Sequence, residues 1–141
     1  MKLHNLLFGG SGANSLVGEF GAFIIRFAFG LTLMLAHGLG KLPPNAKFIE
    51  GVGNLGFPVP EFFAWCSALA EFLGGALLAV GLLTRLAALS IVINMAVAYF
   101  MVHGADPFQK KEMAMLYGVV ALGFLFFGGG KLSLDGVISK R

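Results

Sequence analysis

The sequence is poor in charged residues, with 10 Lys or Arg and 7 Asp or Glu among 141 residues, or 12%. Soluble globular domains carry about 25% charged residues. The 57% hydrophobic content and the mean hydropathy of +0.86 are too high for a small water-soluble enzyme or a disordered chain. The apolar residues also stand in blocks that are too long for ordinary core helices. These properties indicate an integral membrane protein.

Cysteine and clustered basic residues are also scarce. Cys66 is the single cysteine, so the chain cannot form an internal disulfide and has no paired thiols for a structural zinc site. The net charge is +3, but the basic residues are scattered, whereas a nucleic-acid partner requires a clustered basic surface. We therefore expect no metal site and no nucleic-acid partner. Anionic membrane lipids are the expected counter-charge.

Long apolar blocks predict four membrane-spanning helices, since about 20 apolar residues cross the hydrocarbon core of a bilayer. The blocks lie at residues 17–38, 61–83, 84–103 and 112–130. Pro43 and Pro44 close the first block. The link at Thr84 and Arg85 is too short to recross the bilayer, so the helices on either side of it must be antiparallel neighbours. The predicted fold is an all-α, antiparallel four-transmembrane-helix bundle.

The remaining segments define the predicted organisation around this bundle. Residues 1–16 are predicted to be a flexible or surface-lying tail, residues 17–136 the membrane domain, and residues 137–141 a polar tail. Residues 47–57 carry apolar side chains at helical spacing together with three glycines, which predicts an interfacial segment between the first two spans.

An even number of spans places both chain ends on one side of the membrane. That side collects five Lys or Arg against four on the other. By the positive-inside rule, both termini are predicted to be cytoplasmic.

Three polar residues stand inside predicted spans at similar depth: Arg26, Glu71 and Asn94. A charge at the centre of a bilayer costs about 2.5–3.5 kcal/mol on insertion scales. At 1.5 Å per residue, the three residues lie roughly 12, 18 and 12–15 Å from the cytoplasmic ends of their helices. They could form a ligand-binding or proton-relaying site, or Arg26 and Glu71 could neutralise each other and fix helix packing. We predict that Arg26 and Glu71 lie in contact or share one bound polar group.

Small residues surround these charges. Ser67, Glu71, Gly75 and Ala79 recur every four residues, which predicts a groove where another helix approaches closely. On the first span, Arg26, Gly30, His37 and Lys41 fall within a stripe about 60° wide.

A second set of polar residues lies near the opposite membrane face. Its members are His37, Lys41, Glu61, His103 and Glu112. They are either interfacial residues that reach the headgroups, or they include a proton-handling pair of His37 and Glu112 at the mouth of a pocket. A haem held between His37 and His103 is a weaker hypothesis, because surrounding arginines and room-making glycines are missing.

Several short motifs follow one another in a fixed order over residues 17–136. They are Arg26-x3-Gly30, His37-Gly38-x2-Lys41, Gly56-Phe57-Pro58-x-Pro60, Glu71-x2-Gly74-Gly75, Gly81-x2-Thr84-Arg85, Glu112, and Gly128-x-Gly130-x2-Ser133-Leu134-Asp135. In this order and spacing the sequence resembles the DoxX-like family of small four-span bacterial membrane proteins. The resemblance implies a location in the bacterial inner membrane and a link to quinone or thiol redox chemistry. The positions that it marks are Arg26, His37, Lys41, Glu71, Arg85 and Glu112.

These observations define a predicted site. The candidates for catalysis are His37, Glu71 and Glu112. The candidates for ligand binding are Arg26, His37, Lys41, Glu71 and Asn94.

The leading functional hypothesis is a quinone-interacting membrane subunit of a redox system. It would take electrons from a partner, because the sequence has no convincing motif for a flavin, a haem or an iron–sulfur cluster. The alternatives are a non-catalytic scaffold or accessory subunit and, less favoured without an inverted repeat, a small-molecule transporter. The expected partners are membrane lipid and either a partner subunit or further copies of the chain. Whether the chain is itself an enzyme stays open at this point.

Overall fold

The structure is a computed structural model that describes residues 15–139. Over this range the regular structure is helical, without a strand. In chain order the helices are α1 (Leu16–Lys41), α2 (Ala46–Asn54), α3 (Pro60–Val80), α4 (Thr84–Val102), α5 (Phe108–Phe127) and α6 (Leu134–Ile138). The prediction of a flexible tail at residues 1–16 falls mostly on residues 1–14, which lie outside the described residues, as do residues 140 and 141.

Three helices are long and apolar enough to cross a membrane: α1 with 26 residues, α3 with 21 and α4 with 19. Helix α5 has 20 residues, but its first turns contain Lys110, Lys111 and Glu112. That end of the helix is too polar for α5 to count among these candidate membrane spans. Its remaining residues, 113–127, carry no charge. The predicted all-α class is therefore confirmed, in a membrane protein with at least these three candidate spans among residues 15–139.

Helix α1 continues past the predicted end of the first span. After Thr32 it widens into a π-helical segment, Leu33–Gly38, and then tightens into a 3₁₀ turn, Leu39–Lys41. Pro43 and Pro44 follow and cannot continue the helix, because proline has no backbone N–H and restricts the residue before it. Lys41 consequently lies on α1 and not in the following loop.

The predicted interfacial segment is helix α2. Asn45 begins it, since the side-chain Oδ1 of Asn45 accepts a hydrogen bond from the Phe48 N–H at 2.9 Å. The glycines of the segment do not prevent the helix from forming. Its position at a membrane interface stays a prediction.

Helices α1 and α3 touch backbone to backbone, as the spacing of small residues predicts. A Cβ placed on Gly30 would stand 2.5 Å from the Gly75 carbonyl oxygen and 2.6 Å from the Ala79 nitrogen. A Cβ on Gly75 would stand 2.8 Å from the Gly30 carbonyl oxygen. This crossing brings the polar faces of the two helices together. On their other side, α4 and α5 complete an apolar core around Leu33, Leu78 and Ile91.

Candidate functional site

Arg26 is fully buried and binds backbone carbonyl oxygens. Its Nη1 donates to the carbonyl oxygens of Leu78 at 2.8 Å and Ala79 at 2.7 Å, and its Nη2 donates to that of Leu132 at 2.7 Å. Leu78 and Ala79 are in the last turn of α3, where the helix dipole is negative and favours a cation. The guanidinium therefore caps α3 and also holds the chain that follows α5.

The predicted contact between Arg26 and Glu71 is wrong. Glu71 precedes Leu78 by seven residues on α3, which is roughly 10 Å along the helix axis. The two charges have separate sets of partners. Depth counted from the helix ends does not reveal this, because carbonyl oxygens at a helix end are acceptors that no sequence pattern displays.

Two carboxylates bind backbone N–H groups at the same end of the molecule as Arg26. Glu19, which is buried, accepts a hydrogen bond from the Lys131 N–H at 2.7 Å. Asp135 accepts from the N–H groups of Leu83 and Thr84, both at 2.8 Å, and so caps the N-terminus of α4. We call Glu19, Arg26 and Asp135 the terminal clasp, because together they hold the segment 128–139 against the ends of α1, α3 and α4.

Asp135 is held in its charged form. Burial alone would raise the pKa of its carboxyl group, but the hydrogen bonds from Thr84 and Leu83 and the nearby charge of Arg26 hold that pKa below its ordinary value. Sequence reasoning quoted Asp135 only as part of a motif and did not single out Glu19. A carboxylate one turn inside an apolar helix was the available signal for Glu19.

Glu71 is the centre of a second polar cluster and is only 3% exposed. Its Oε1 accepts hydrogen bonds from the Lys41 Nζ at 2.7 Å and the Asn94 Nδ2 at 2.9 Å. Helices α1, α3 and α4 each contribute one member. The other carboxylate oxygen, Oε2, is buried and has no hydrogen-bond partner among the described residues. Such an oxygen is costly unless water or a ligand supplies a donor.

A cavity of about 240 Å³ lies beside this cluster, among α1, α3, α4 and α5. It is lined by Leu33, His37, Lys41, Glu71, Met95, Ala98, His103, Lys110, Met113, Ala114 and Tyr117. The His37 and Tyr117 rings meet edge to face, with their centroids 5.3 Å apart. The cavity thus combines an apolar wall with two imidazoles, two ammonium groups, one carboxylate and one phenol.

The structure brings His37, Lys41 and Glu71 of the predicted site to this one cavity. Asn94 joins them through its hydrogen bond to Glu71. Arg26 belongs to the terminal clasp instead.

Glu112 is exposed and does not line the cavity; within residues 15–139 no hydrogen bond or ion pair joins it to His37. Lys110, two residues earlier on α5 and therefore on another side of the helix, lines the cavity instead.

Sequence reasoning did not select His103 or Tyr117 for the site, although both line the cavity. His103 follows the last turn of α4, and its Nδ1 lies 2.8 Å from Oδ2 of Asp106. His37 and His103 do face one cavity, but its volume is below the range of about 300–1,000 Å³ that encloses drug-sized ligands. This space is too small for a haem.

The chain matches the DoxX family model over residues 21–104. An uncharacterised protein of Haemophilus influenzae is 34% identical over 111 residues, which are 69% of this chain and 80% of that protein. An uncharacterised membrane protein of Mycobacterium tuberculosis is 31% identical over 134 residues, covering 83% of this chain and 80% of its own length.

A Bacillus subtilis protein named "Putative oxidoreductase CatD" is 28% identical over 123 residues, covering 86% of this chain and 90% of its own length. No solved structure matches the chain. The family match spans more than half of the sequence and includes the residues of α1, α3 and α4 that build the cavity. The protein is therefore a member of the DoxX family of membrane proteins.

Proposed function

We propose that this protein is a quinone-interacting subunit of a membrane redox system, and that it takes electrons from a partner protein. The observation that carries the proposal is the buried carboxylate of Glu71 at a cavity between four helices, because its unpartnered oxygen can accept a hydrogen bond from a hydroxyl group of the quinol, the reduced form of the ligand. The name of the Bacillus subtilis relative, which contains the word oxidoreductase, supports a redox role.

The proposal includes α5 as a fourth membrane span in an antiparallel bundle. Residues 113–127 of α5 are uncharged, and its inner face packs on α4 through Ala114, Tyr117 and Ala121. Lys110, Lys111 and Glu112 then lie at the headgroup level, where long charged side chains are tolerated. The bundle would lie in the bacterial inner membrane with both termini in the cytoplasm.

The cavity has the size of one small ring. A volume of about 240 Å³ is adequate for a single-ring headgroup, and an isoprenoid tail would have to extend between helices into the lipid. The methionine and alanine side chains of α4 and α5 supply an apolar wall for such a ring.

The donors that a quinone needs are present. Quinone carbonyl oxygens accept hydrogen bonds and cannot donate them. The Lys41 ammonium has three N–H donors and gives one to Glu71, so two remain for other acceptors. The neutral His37 ring can donate one N–H, and it stands on the same side of the cavity as Lys41, on α1.

Reduction of a quinone consumes two electrons and two protons and yields a quinol. The electrons would come from the partner, whereas the protons must cross a hydrocarbon barrier about 30 Å thick or enter from its edge. Glu71 and His37 are titratable groups at the cavity and can pass protons to the ring oxygens. Lys41 and Asn94 hold the Glu71 carboxylate in a fixed position for this transfer.

A scaffold or accessory subunit is the second candidate, and one observation favours it. The charge of Glu71 is already matched by Lys41 within the chain, so the cluster can specify helix packing without any ligand. A scaffold, however, has no use for a cavity lined by six ionisable side chains. A small-molecule transporter is the third candidate function.

Mass spectrometry of the protein purified in its native lipids is the first test. A quinone that co-purifies with the full chain at close to one per protein supports the proposal. A chain that contains no quinone, and that binds none when a short-chain benzoquinone is added, supports the scaffold.

Two variants test the site itself. His37→Ala should weaken binding of the short-chain benzoquinone, and Glu71→Gln binding of its quinol, each by at least about tenfold, or about 1.4 kcal/mol. Glu19→Gln is the matched control, because Glu19 is also a buried carboxylate but belongs to the terminal clasp. It should leave the affinity within about twofold of the original. Equal affinity in all folded variants would contradict the proposed site.

A further inference from the structure

The turn between α4 and α5 holds a histidine and an aspartate that the proposed quinone site does not use. The π-helical segment Ala98–Val102 ends with a hydrogen bond from the His103 N–H to the Ala98 carbonyl oxygen, at 2.9 Å. The Asp106 N–H then donates to the His103 carbonyl oxygen at 3.0 Å, which closes a turn of four residues. The side chains of the same two residues meet at 2.8 Å. His103 is therefore held by both its backbone and its ring.

His103 touches the solvent and the cavity at the same time. Its side chain is 37% exposed and that of Asp106 is 35% exposed, yet His103 lines the cavity beside Lys110. Among the other polar groups that line the cavity, Glu71 and Tyr117 are buried, His37 and Lys41 are half-buried and Lys110 is exposed. A group that carries protons from water into a cavity has to reach both places, and His103 does.

Asp106 determines which ring nitrogen of His103 can exchange protons. Because Nδ1 is engaged by the Asp106 carboxylate, Nε2 is the nitrogen left for a second partner. A carboxylate that holds one nitrogen of a histidine orients the ring and stabilises its cationic form when the other nitrogen takes a proton. The hydrogen bond to His103 in turn keeps the pKa of Asp106 below its ordinary value, so Asp106 remains an anion over the range in which imidazole titrates.

We infer that His103 and Asp106 form a proton port, through which protons pass from the aqueous phase to the cavity. The inference rests on the proposed quinone function. For each quinone reduced, two electrons come from the redox partner and two protons enter by way of His103, which is reprotonated from water after each transfer. His103 gives the proton, and Asp106 is a positioning residue that acts through it.

The charged surroundings of His103 are mixed. Lys110 and Lys111 lie near Asp106, and Lys111 also stands 5.0 Å from the centre of the Tyr99 ring. Across the cavity stand His37, Lys41, Glu71 and Tyr117. The two lysines place positive charge beside the Asp106 carboxylate. His103 is the imidazole of this cavity whose ring contacts a carboxylate, that of Asp106.

The full chain in lipid nanodiscs tests the port. Each nanodisc is loaded with one short-chain benzoquinone per protein, and the quinone is reduced at an electrode that replaces the partner. The rate of quinol formation is followed by infrared difference spectroscopy from about pH 5 to about pH 8, where imidazole titrates. His103→Ala and Asp106→Asn should each slow this rate by at least about tenfold and remove the imidazole step from the pH profile. The affinity of Asp106→Asn for the quinone should stay within about twofold, because Asp106 does not line the cavity.

Further variants separate proton transfer from a structural role. Asp106→Glu keeps a carboxylate and should retain most of the rate. Imidazole added to His103→Ala should restore the rate, because a free imidazole can take over the transfer. The double variant should be no slower than either single one, since the two residues act as a unit. Glu50→Gln, an exposed carboxylate change on α2, is the matched control and should have no effect.

The outcomes distinguish this inference from the function on which it rests. Normal quinone binding with an unchanged rate and pH profile in His103→Ala and Asp106→Asn would overturn the port and leave the quinone site standing. Absence of quinone binding in the unaltered chain would overturn both. If Asp106→Asn does not fold, the rate in Asp106→Glu and the imidazole rescue of His103→Ala decide whether the two residues form the port.

Discussion

Arg26 and Glu71 are two buried charges that the protein accommodates by different means. Arg26 makes three hydrogen bonds to carbonyl oxygens, two of them at the negative end of a helix dipole. Glu71 has a side-chain cation, Lys41, and an amide, Asn94. A buried charge with well-placed partners adds little net stability, but removal of its partners is strongly destabilising. The consequence is that each charge depends on its own neighbours and not on the other charge.

Stability measurements should therefore find Arg26 and Glu71 independent. Arg26→Met should destabilise the protein by about 3–5 kcal/mol, because three carbonyl oxygens lose their donor. Combined with Glu71→Gln, the losses should add to within about 0.5 kcal/mol, as expected for separate sites. Unfolding in detergent checks this sum. The pair Lys41→Met and Glu71→Leu is the positive control and should be coupled by about 0.5–3 kcal/mol.

Asp135 makes the terminal clasp sensitive to acid. Its pKa in the folded protein is below the ordinary value of about 3.9 that applies to the unfolded chain. When the pH falls through that ordinary value, the unfolded chain takes up a proton before the folded protein does, so stability decreases until the lower, folded-state pKa is passed. The Asp135→Asn variant should be less stable than the original protein at neutral pH. Its free energy of unfolding should also fall less on acidification. Denaturant unfolding at a series of pH values measures both; an equally steep acid loss in the variant would contradict this role.

At the scale of helices, the contact between α1 and α3 is set by glycine. No side chain larger than a hydrogen atom fits at Gly30, because the backbone of α3 occupies the space. In a bilayer, close packing of this kind is a main source of helix association, since lipid is as apolar as the helix surface. The position of α1 on α3 also places Lys41 against Glu71, so the packing and the candidate site depend on the same contact.

Two glycine substitutions in α1 test this dependence. Gly30→Ala should destabilise the protein by about 1–3 kcal/mol, as overpacking does. Gly21→Ala is the matched control in the same helix, because no atom lies within 4 Å of the added Cβ. It should be neutral or stabilising by up to about 1 kcal/mol, from helix propensity alone. Similar effects of the two substitutions would show that the close contact is unimportant.

The four long helices could be predicted from the sequence, whereas the ends of α1 and α5 and the short helix α6 could not. Prolines and glycines mark the ends of α3 well, and that helix starts and stops within three residues of the prediction. Helix α1 is longer because a π-helical and a 3₁₀ segment carry it to Lys41, and hydrophobic periodicity does not detect such segments. Helix α5 begins before its apolar block, since its first turn is polar and includes Lys110, which lines the cavity.

The sequence predicts which residues belong to the candidate site better than it predicts which of them contact each other. His37, Lys41 and Glu71 stood out as polar residues in apolar surroundings, and one cavity contains all three. The partners of Arg26 are carbonyl oxygens up to 106 residues away in the chain, which residue types do not reveal. From the sequence, His103 was placed among the interfacial residues. Its contacts with Asp106 and with the cavity depend on the turn from His103 to Asp106, which residue types do not reveal.

For the whole molecule, the bundle arrangement predicts the membrane topology. Cysteines introduced at Ser139 and Asn54, with Cys66 replaced by Ser, should react from opposite sides of the membrane. Ser139 follows α6 in the terminal region, and Asn54 ends α2, which connects α1 to α3 at the other end. A membrane-impermeant thiol reagent applied to intact cells and to inverted vesicles makes the measurement. Gln109→Cys should behave like Asn54→Cys, and labelling of Ser139→Cys from the same side as both would refute the arrangement.

The terminal clasp has a consequence for the synthesis of the protein and its insertion into the membrane. Arg26 enters the bilayer long before its partners exist: the carbonyls of Leu78 and Ala79 are synthesised 52 and 53 residues later, and that of Leu132 follows after 106. At about 5–20 residues per second, the guanidinium waits roughly 5–20 s for its full set of acceptors. During that interval α1 carries a charge that lacks its full set of acceptors, and a charge at the centre of a bilayer costs about 2.5–3.5 kcal/mol on insertion scales. The segment 128–139, which is translated after α1 to α5, supplies the final acceptor of this charge.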